Sequence, residues 1–178
     1  ASIRIMHLAV AARILGQDET PCGDLINLIH AHVRRVSPTL SYALAQDNNH
    51  GTSEAAGLFI GGTWCKAQGY CKGAYWEGRG RYWLENRIRR LIEPDGSFSQ
   101  YSVNYHRVML DTLCVVELWR RWHDLGLFSE IFYDRAEKAT YWLYAMVDPE
   151  TGHVPNLGAN DGARLFPLSD ADYQDFRP

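Results

Sequence analysis

Thr52-Ser53-Glu54-Ala55-Ala56-Gly57-Leu58-Phe59-Ile60-Gly61-Gly62-Thr63-Trp64-Cys65 is the stretch on which the fold turns. Thr52 or Ser53 can cap a helix, and the segment continues to Gln68 without a break. Its three glycines each weaken a helix interior by up to about 1 kcal/mol relative to alanine. A helix of this composition forms only when its neighbours hold it. The small residues therefore predict very close packing at the centre of a helical assembly.

Helical periodicity extends to both sides of this segment. Ile3, Met6, Val10 and Ile14 recur at three-to-four spacing, and Gly16 closes that helix. A second helix is predicted from Asp24 to Val36, ended by Ser37-Pro38, with a helical turn near residues 40–45. A fourth is predicted over Ala74 to Ile92, before the turn Glu93-Pro94-Asp95-Gly96. A fifth runs from Asn104 to Asp124, and a sixth from a Ser129 cap to Val147. No segment alternates strongly enough to be a strand. From His153 onward the pattern dissolves into a tail rich in Asn, Asp, Gly and Pro, a length of loop that is often functional. The fold class expected is all-α, built of antiparallel helix hairpins and followed by a long irregular C-terminal loop.

Composition narrows the function. The 178 residues carry 18 Lys+Arg against 21 Asp+Glu, a net charge of −3. Six acids and two arginines lie from Asp148 onward, which leaves the first 147 residues near +1. This balance argues against nucleic-acid binding by phosphate neutralisation and still allows a local cleft for a short anion. Arg79, Arg81, Arg87, Arg89 and Arg90 are interleaved with Glu77, Glu85 and Glu93, as on a solvated helix face. No apolar run is long enough for a membrane span. The cysteines at 22, 65, 71 and 114 form no CxxC pair and read as buried free thiols.

Three polar blocks carry candidate chemistry. Asn48-Asn49-His50-Gly51-Thr52-Ser53-Glu54 precedes a helix start, where free N–H groups favour an anion and a histidine can move a proton. The same block also reads as a turn with capping residues. Gln100-Tyr101-Ser102-Val103-Asn104-Tyr105-His106-Arg107 opens the fifth helix. Tyr101 and Tyr105 share a face if that helix begins early enough, and otherwise read as half-buried core. Pro155-Asn156-Leu157-Gly158-Ala159-Asn160-Asp161-Gly162-Ala163-Arg164 is either a solvent loop or part of a cleft. Its oxygens do not match the spacing of an EF-hand, and no metal is assigned.

Together these blocks resemble the helical domain of the heparinase II/III-like polysaccharide lyases, and also the alginate and oligoalginate lyases. The resemblance rests on Asn48-Asn49-His50 with Glu54-Ala55-Ala56-Gly57-Leu58, Asp95-Gly96-Ser97, Gln100-Tyr101-Ser102, Tyr105-His106, and Pro155-Asn156 with Gly158 to Gly162. Their order and the 55-residue gap from His50 to Tyr105 fit. The resemblance implies an incomplete (α/α) toroid and cleavage of a uronic-acid-containing polysaccharide by β-elimination. It implies that Asn49 neutralises the uronate carboxylate, that Tyr105 is acid and for one epimer base, and that His50 is base for the other epimer or lowers the tyrosine's pKa. Substrate contacts are expected from Asn48, Glu54, Tyr101, His106, Arg107, Asn160 and Arg164.

The partner implied is an anionic polysaccharide or oligosaccharide, with no cofactor in this segment. The family's β-sandwich domain is absent, six helices are fewer than a toroid needs, and the chain starts inside a helical pattern. The expectation is one helical domain over 1–178, a segment of a larger toroid, with 148–178 as a cleft-lining tail. The resemblance favours a periplasmic or secreted location and leaves a cytoplasmic one open. Two other readings stand beside it: a glycoside hydrolase using two of Asp47, Glu54, Asp95 and Asp161, and a non-catalytic glycan-binding protein.

Overall fold

The computed structural model describes residues 1–166, 170 and 172–177. It holds six helices: α1 (Ser2–Ile14), α2 (Gly23–Ala45), α3 (Asn49–Ala67), α4 (Gly73–Leu91), α5 (Val103–Trp122) and α6 (Glu130–Tyr144). Among the described residues the extended pairing is limited to a single antiparallel bridge, Ile92 to Phe98, across the Pro94–Gly96 turn. The chain is all-α, as its periodicity predicts, and its helix hairpins form part of a toroid.

Helix α3 is the centre. From Gly51 to Cys65 every residue except Glu54 is buried. Its glycines face three different neighbours. A Cβ on Gly57 would lie 2.8 Å from Ser2 Cβ of α1, and one on Gly61 would lie 2.4 Å from Val33 Cγ2 of α2. One on Gly62 would lie 2.2 Å from the Glu77 backbone nitrogen of α4. Gly80 of α4 answers from the other side, where a Cβ would come within 2.2 Å of Phe59 N. These approaches also fix direction. Gly62 meets Glu77 while Phe59 meets Gly80, so α3 and α4 are antiparallel. Ser2 meets Gly57 and Ile5 meets Gly61, so α1 and α3 run the same way.

Helix α2 differs from its expected extent. It passes through Pro38 and ends at Ala45, absorbing the predicted turn at 40–45. Pro38 offers no N–H to the carbonyl of Arg34. Burial of Leu40, Ala43 and Leu44 outweighs that loss, and Arg79 Nη1 of α4 donates to Ser37 O at 2.7 Å. Helix α3 begins earlier than predicted. Its cap is Asn48, not Thr52 or Ser53, which are both buried inside the helix.

The arginine cluster is only partly a solvated face. Arg87 is 5% exposed and donates to Leu44 O and Asp47 Oδ1, while Arg81 reaches Gly126 O and Leu127 O. The four cysteines are free, but only Cys65 is buried; Cys22, Cys71 and Cys114 are exposed. Among the described residues no helix is long and apolar enough to cross a membrane.

The tail after α6 has no regular structure where it is described; 167–169, 171 and 178 of the expected 148–178 segment lie outside the described residues. It crosses the start of α5, where Val103 N donates to Leu157 O at 3.1 Å and Ser102 Oγ to Ala159 O at 2.5 Å. It then reaches α1, where His7 Nε2 meets Leu165 O at 2.7 Å and the Phe166 ring packs edge-on to His7.

Candidate functional site

The loops that lead into α3 and α5 are hydrogen-bonded to each other. Asp47 adopts a left-handed backbone (φ 46°), which a non-glycine residue takes only when its surroundings hold it. Arg90 and Arg87 grip its carboxylate at 2.7 and 2.8 Å and hold its pKa below the ordinary value. Asn48 then caps α3, its Oδ1 accepting from His50 N at 2.9 Å. The N–H of Asn49 goes to Gln100 Oε1 at 3.0 Å, and Ser99 Oγ donates to Asp47 O at 3.3 Å. Two loops some fifty residues apart in sequence are thus stitched at one end of the bundle. The side chains of Asn49 and His50 make no hydrogen bond among the described residues. His50 is exposed and Asn49 half-exposed.

Glu54 lies one turn further along α3. Its Oε2 is buried without a partner, and burial pushes its carboxyl above the ordinary range.

Helix α5 opens on the Ser102 cap, whose Oγ accepts from Tyr105 N at 3.1 Å. Tyr105 Oη donates to Asp161 Oδ2 at 2.6 Å. The Asp161 carboxylate, through that bond and its charge, raises the Tyr105 pKa, and in return its own is lowered. Asn104 is buried and donates to the other oxygen, Asp161 Oδ1, at 3.3 Å. The Tyr173 hydroxyl lies 2.5 Å from Asn104 Oδ1 and 2.8 Å from Asn160 Oδ1. Asn104, Asn160 and Tyr173 also help line a cavity of about 270 Å³ beneath the tail, which none of Asn49, His50 and Tyr105 lines.

The heparinase II/III N-terminus family matches residues 2–165. The chain belongs to that family. No curated protein and no solved structure matches it. As a heparinase II/III-like chain it is related to the polysaccharide lyases, a family whose substrates are polysaccharides.

Set on this heparinase II/III-like frame, the sequence-predicted residues divide. Asn48, Asn49, His50 and Glu54 share the start of α3, and Tyr105 stands at the start of α5. Tyr101 is 82% exposed but lies outside the helix in a left-handed conformation (φ 50°), so it does not share a helical face with Tyr105. His106 is 1% exposed, stacks on Trp142 and bonds Ala139 O at 2.8 Å. It faces the α6 core, where burial lowers its pKa, and has no access to a ligand.

Arg107 is turned to the tail. It donates to Tyr173 O at 2.6 Å, and its guanidinium lies 4.4 Å from the Tyr173 ring centre and 4.2 Å from that of Phe176. Asn160 Nδ2 donates to Asn156 Oδ1 at 3.0 Å, inside the tail. Burial pushes the Asp111 carboxyl above its ordinary range, and the Arg164 charge opposes that rise.

Asp161, Asn104 and Gln100 also stand in the site, although the sequence does not mark them as partners of its catalytic candidates. No spacing rule links Asp161 to a tyrosine 56 residues earlier. Among the described residues no group of three or more His, Cys, Asp or Glu side chains is placed to hold a metal.

Proposed function

We propose that this chain carries the acid–base residues of a polysaccharide lyase acting on uronic-acid-containing chains by β-elimination. The C5 proton of a uronate is poorly acidic because the neighbouring carboxylate is already negative. Asn49, at the positive end of α3, would donate to that carboxylate and let it take up charge as C5 is deprotonated. His50, beside it, takes the C5 proton of one epimer. Tyr105 gives its proton to the glycosidic oxygen as the bond to C4 breaks.

The observation that carries the reading is the stitched pair of helix starts, with free Asn49 and His50 side chains and a Tyr105 kept protonated by Asp161. A raised tyrosine pKa suits the acid's part. It opposes the base's part unless Asp161 lets go when substrate binds.

The test is a panel of uronate polysaccharides, followed by the ultraviolet absorbance of the unsaturated product. The signal should appear on at least one polymer and be lost in His50→Ala and Tyr105→Phe. New reducing ends without that absorbance would mean hydrolysis. Asp47 is tied to Arg87 and Arg90, Asp95 to Ser97, and Asp161 to Tyr105 and Asn104, which leaves Glu54 as the acid a hydrolase would draw on first. Glu54→Gln should then abolish reducing ends while Tyr105→Phe spares them.

A further inference from the structure

A second, differently built groove lies away from these helix starts. Residues of α2, the α3–α4 connection and the start of α4 enclose a groove of about 600 Å³. Its lining on α4 ends at Arg79, eight residues along the helix from Arg87, roughly 12 Å at the helical rise, and Lys72, the residue before α4, lies farther still. Arg87 is the residue that grips the loop before α3.

Three cations line this groove, Arg34, Lys72 and Arg79, and no acidic side chain does. Arg34 and Lys72 are exposed and form no hydrogen bond or ion pair among the described residues. Arg79 spends its donors on neutral acceptors, Ser37 O and Oγ, and keeps its charge uncompensated. Aromatic side chains line the same groove. Tyr75 is 59% exposed, and the Tyr70 ring lies tilted at 31° against His30 with ring centres 4.1 Å apart. The nearby ion pair, Lys66 to Glu77, is self-contained at 3.0 Å and lies outside the groove.

This chemistry has a specific complement. A pyranose ring presents C–H groups of partial positive charge to the negative face of an aromatic ring. Carboxylate or sulfate substituents on the same ring would meet the guanidinium and ammonium groups around it. We infer that the groove is a second binding site for an anionic oligosaccharide, separate from the α3–α5 site. It would hold a polymer at a distance from the point of cleavage. The inference stands on the groove and does not require the lyase reading to be right.

Amide chemical-shift mapping with a heparin-derived hexasaccharide tests it. The Lys72 and Tyr75 amides should shift and saturate in the native chain. Arg34→Ala/Lys72→Ala should weaken that saturation about tenfold or more, because two charge-assisted contacts go. Tyr75→Ala, at an exposed position, should weaken it severalfold with the charges intact. Both variants should keep the native melting temperature. Unmoved groove amides would overturn the proposal, as would equal shifts with uncharged maltohexaose. Equal shifts with inorganic sulfate would reduce the groove to an ion site. Equal affinity for hexathymidylate would make it a general polyanion surface; either result also overturns the proposal. Product absorbance, measured separately, reports the lyase reading alone.

Discussion

Tyr105 shows how much one contact decides. Its hydroxyl is bound to a carboxylate at 2.6 Å, and that carboxylate belongs to a tail residue 56 positions later. The negative charge opposes ionisation of the phenol, so the tyrosine is held as an acid. Asp161→Asn should therefore bring the Tyr105 pKa down towards its ordinary value. Tyrosinate absorbance, read as the difference between Asp161→Asn with and without Tyr105→Phe, measures this directly. If Tyr105 donates the proton to the leaving oxygen, the high-pH limb of the rate profile should shift down with it. The sequence places Tyr105 and Asp161 in separate blocks and contains nothing that pairs them. The start of α3 is misread in the sequence for a related reason: Thr52 and Ser53 stand directly before the apolar run and are chemically suited to cap it, but the helix extends one turn further back to Asn48, whose side chain takes the cap.

Helices in this chain are specified by what they leave out. Gly78 and Gly80 sit two residues apart in α4 and have opposite surroundings. A Cβ on Gly80 would meet the Phe59 backbone at 2.2 Å, whereas one on Gly78 meets nothing within 4 Å. Gly80→Ala should destabilise the protein by about 1–3 kcal/mol, since backbone cannot step aside as a side chain does. Gly78→Ala should be neutral or stabilise by roughly 0.5–1 kcal/mol through helix propensity. Urea denaturation of the two variants reads both signs.

The glycine-rich centre is legible in the sequence, because glycines cost an apolar helix stability unless another backbone comes close enough to need them. The end of α2 is not legible. Pro38 is a valid stop signal locally, and only the buried run Leu40, Ala43 and Leu44, with Arg79 arriving from α4, overrides it. His106 misleads for a similar reason. Its neighbours in sequence are site residues, but its neighbours in space are Ala139 and Trp142.

Across the whole molecule, burial sets the response to acid. His30, His32, His106 and His123 are all held below the ordinary histidine value, with burial the largest cause. The folded pKa lies below the unfolded one, so the unfolded chain takes up these protons first. Their contribution to stability is complete above about pH 6.5 and is lost as the pH falls through the folded values. Glu54 and Asp111 work in the other direction, since burial raises them. With four histidines against two acids, the melting temperature should fall between pH 7 and pH 5. His106→Gln should make that fall shallower, which thermal unfolding across the pH series will show.

The contact between His7 and Leu165 spans 158 residues of chain. A ribosome therefore finishes α1 long before it supplies the segment that meets it. Bringing those two points together closes a very long loop, an entropic barrier that shorter contacts avoid. During synthesis, then, the apolar surface in which Leu165 and Phe166 become buried waits for those intervening residues, and for that interval it is a face open to a wrong partner.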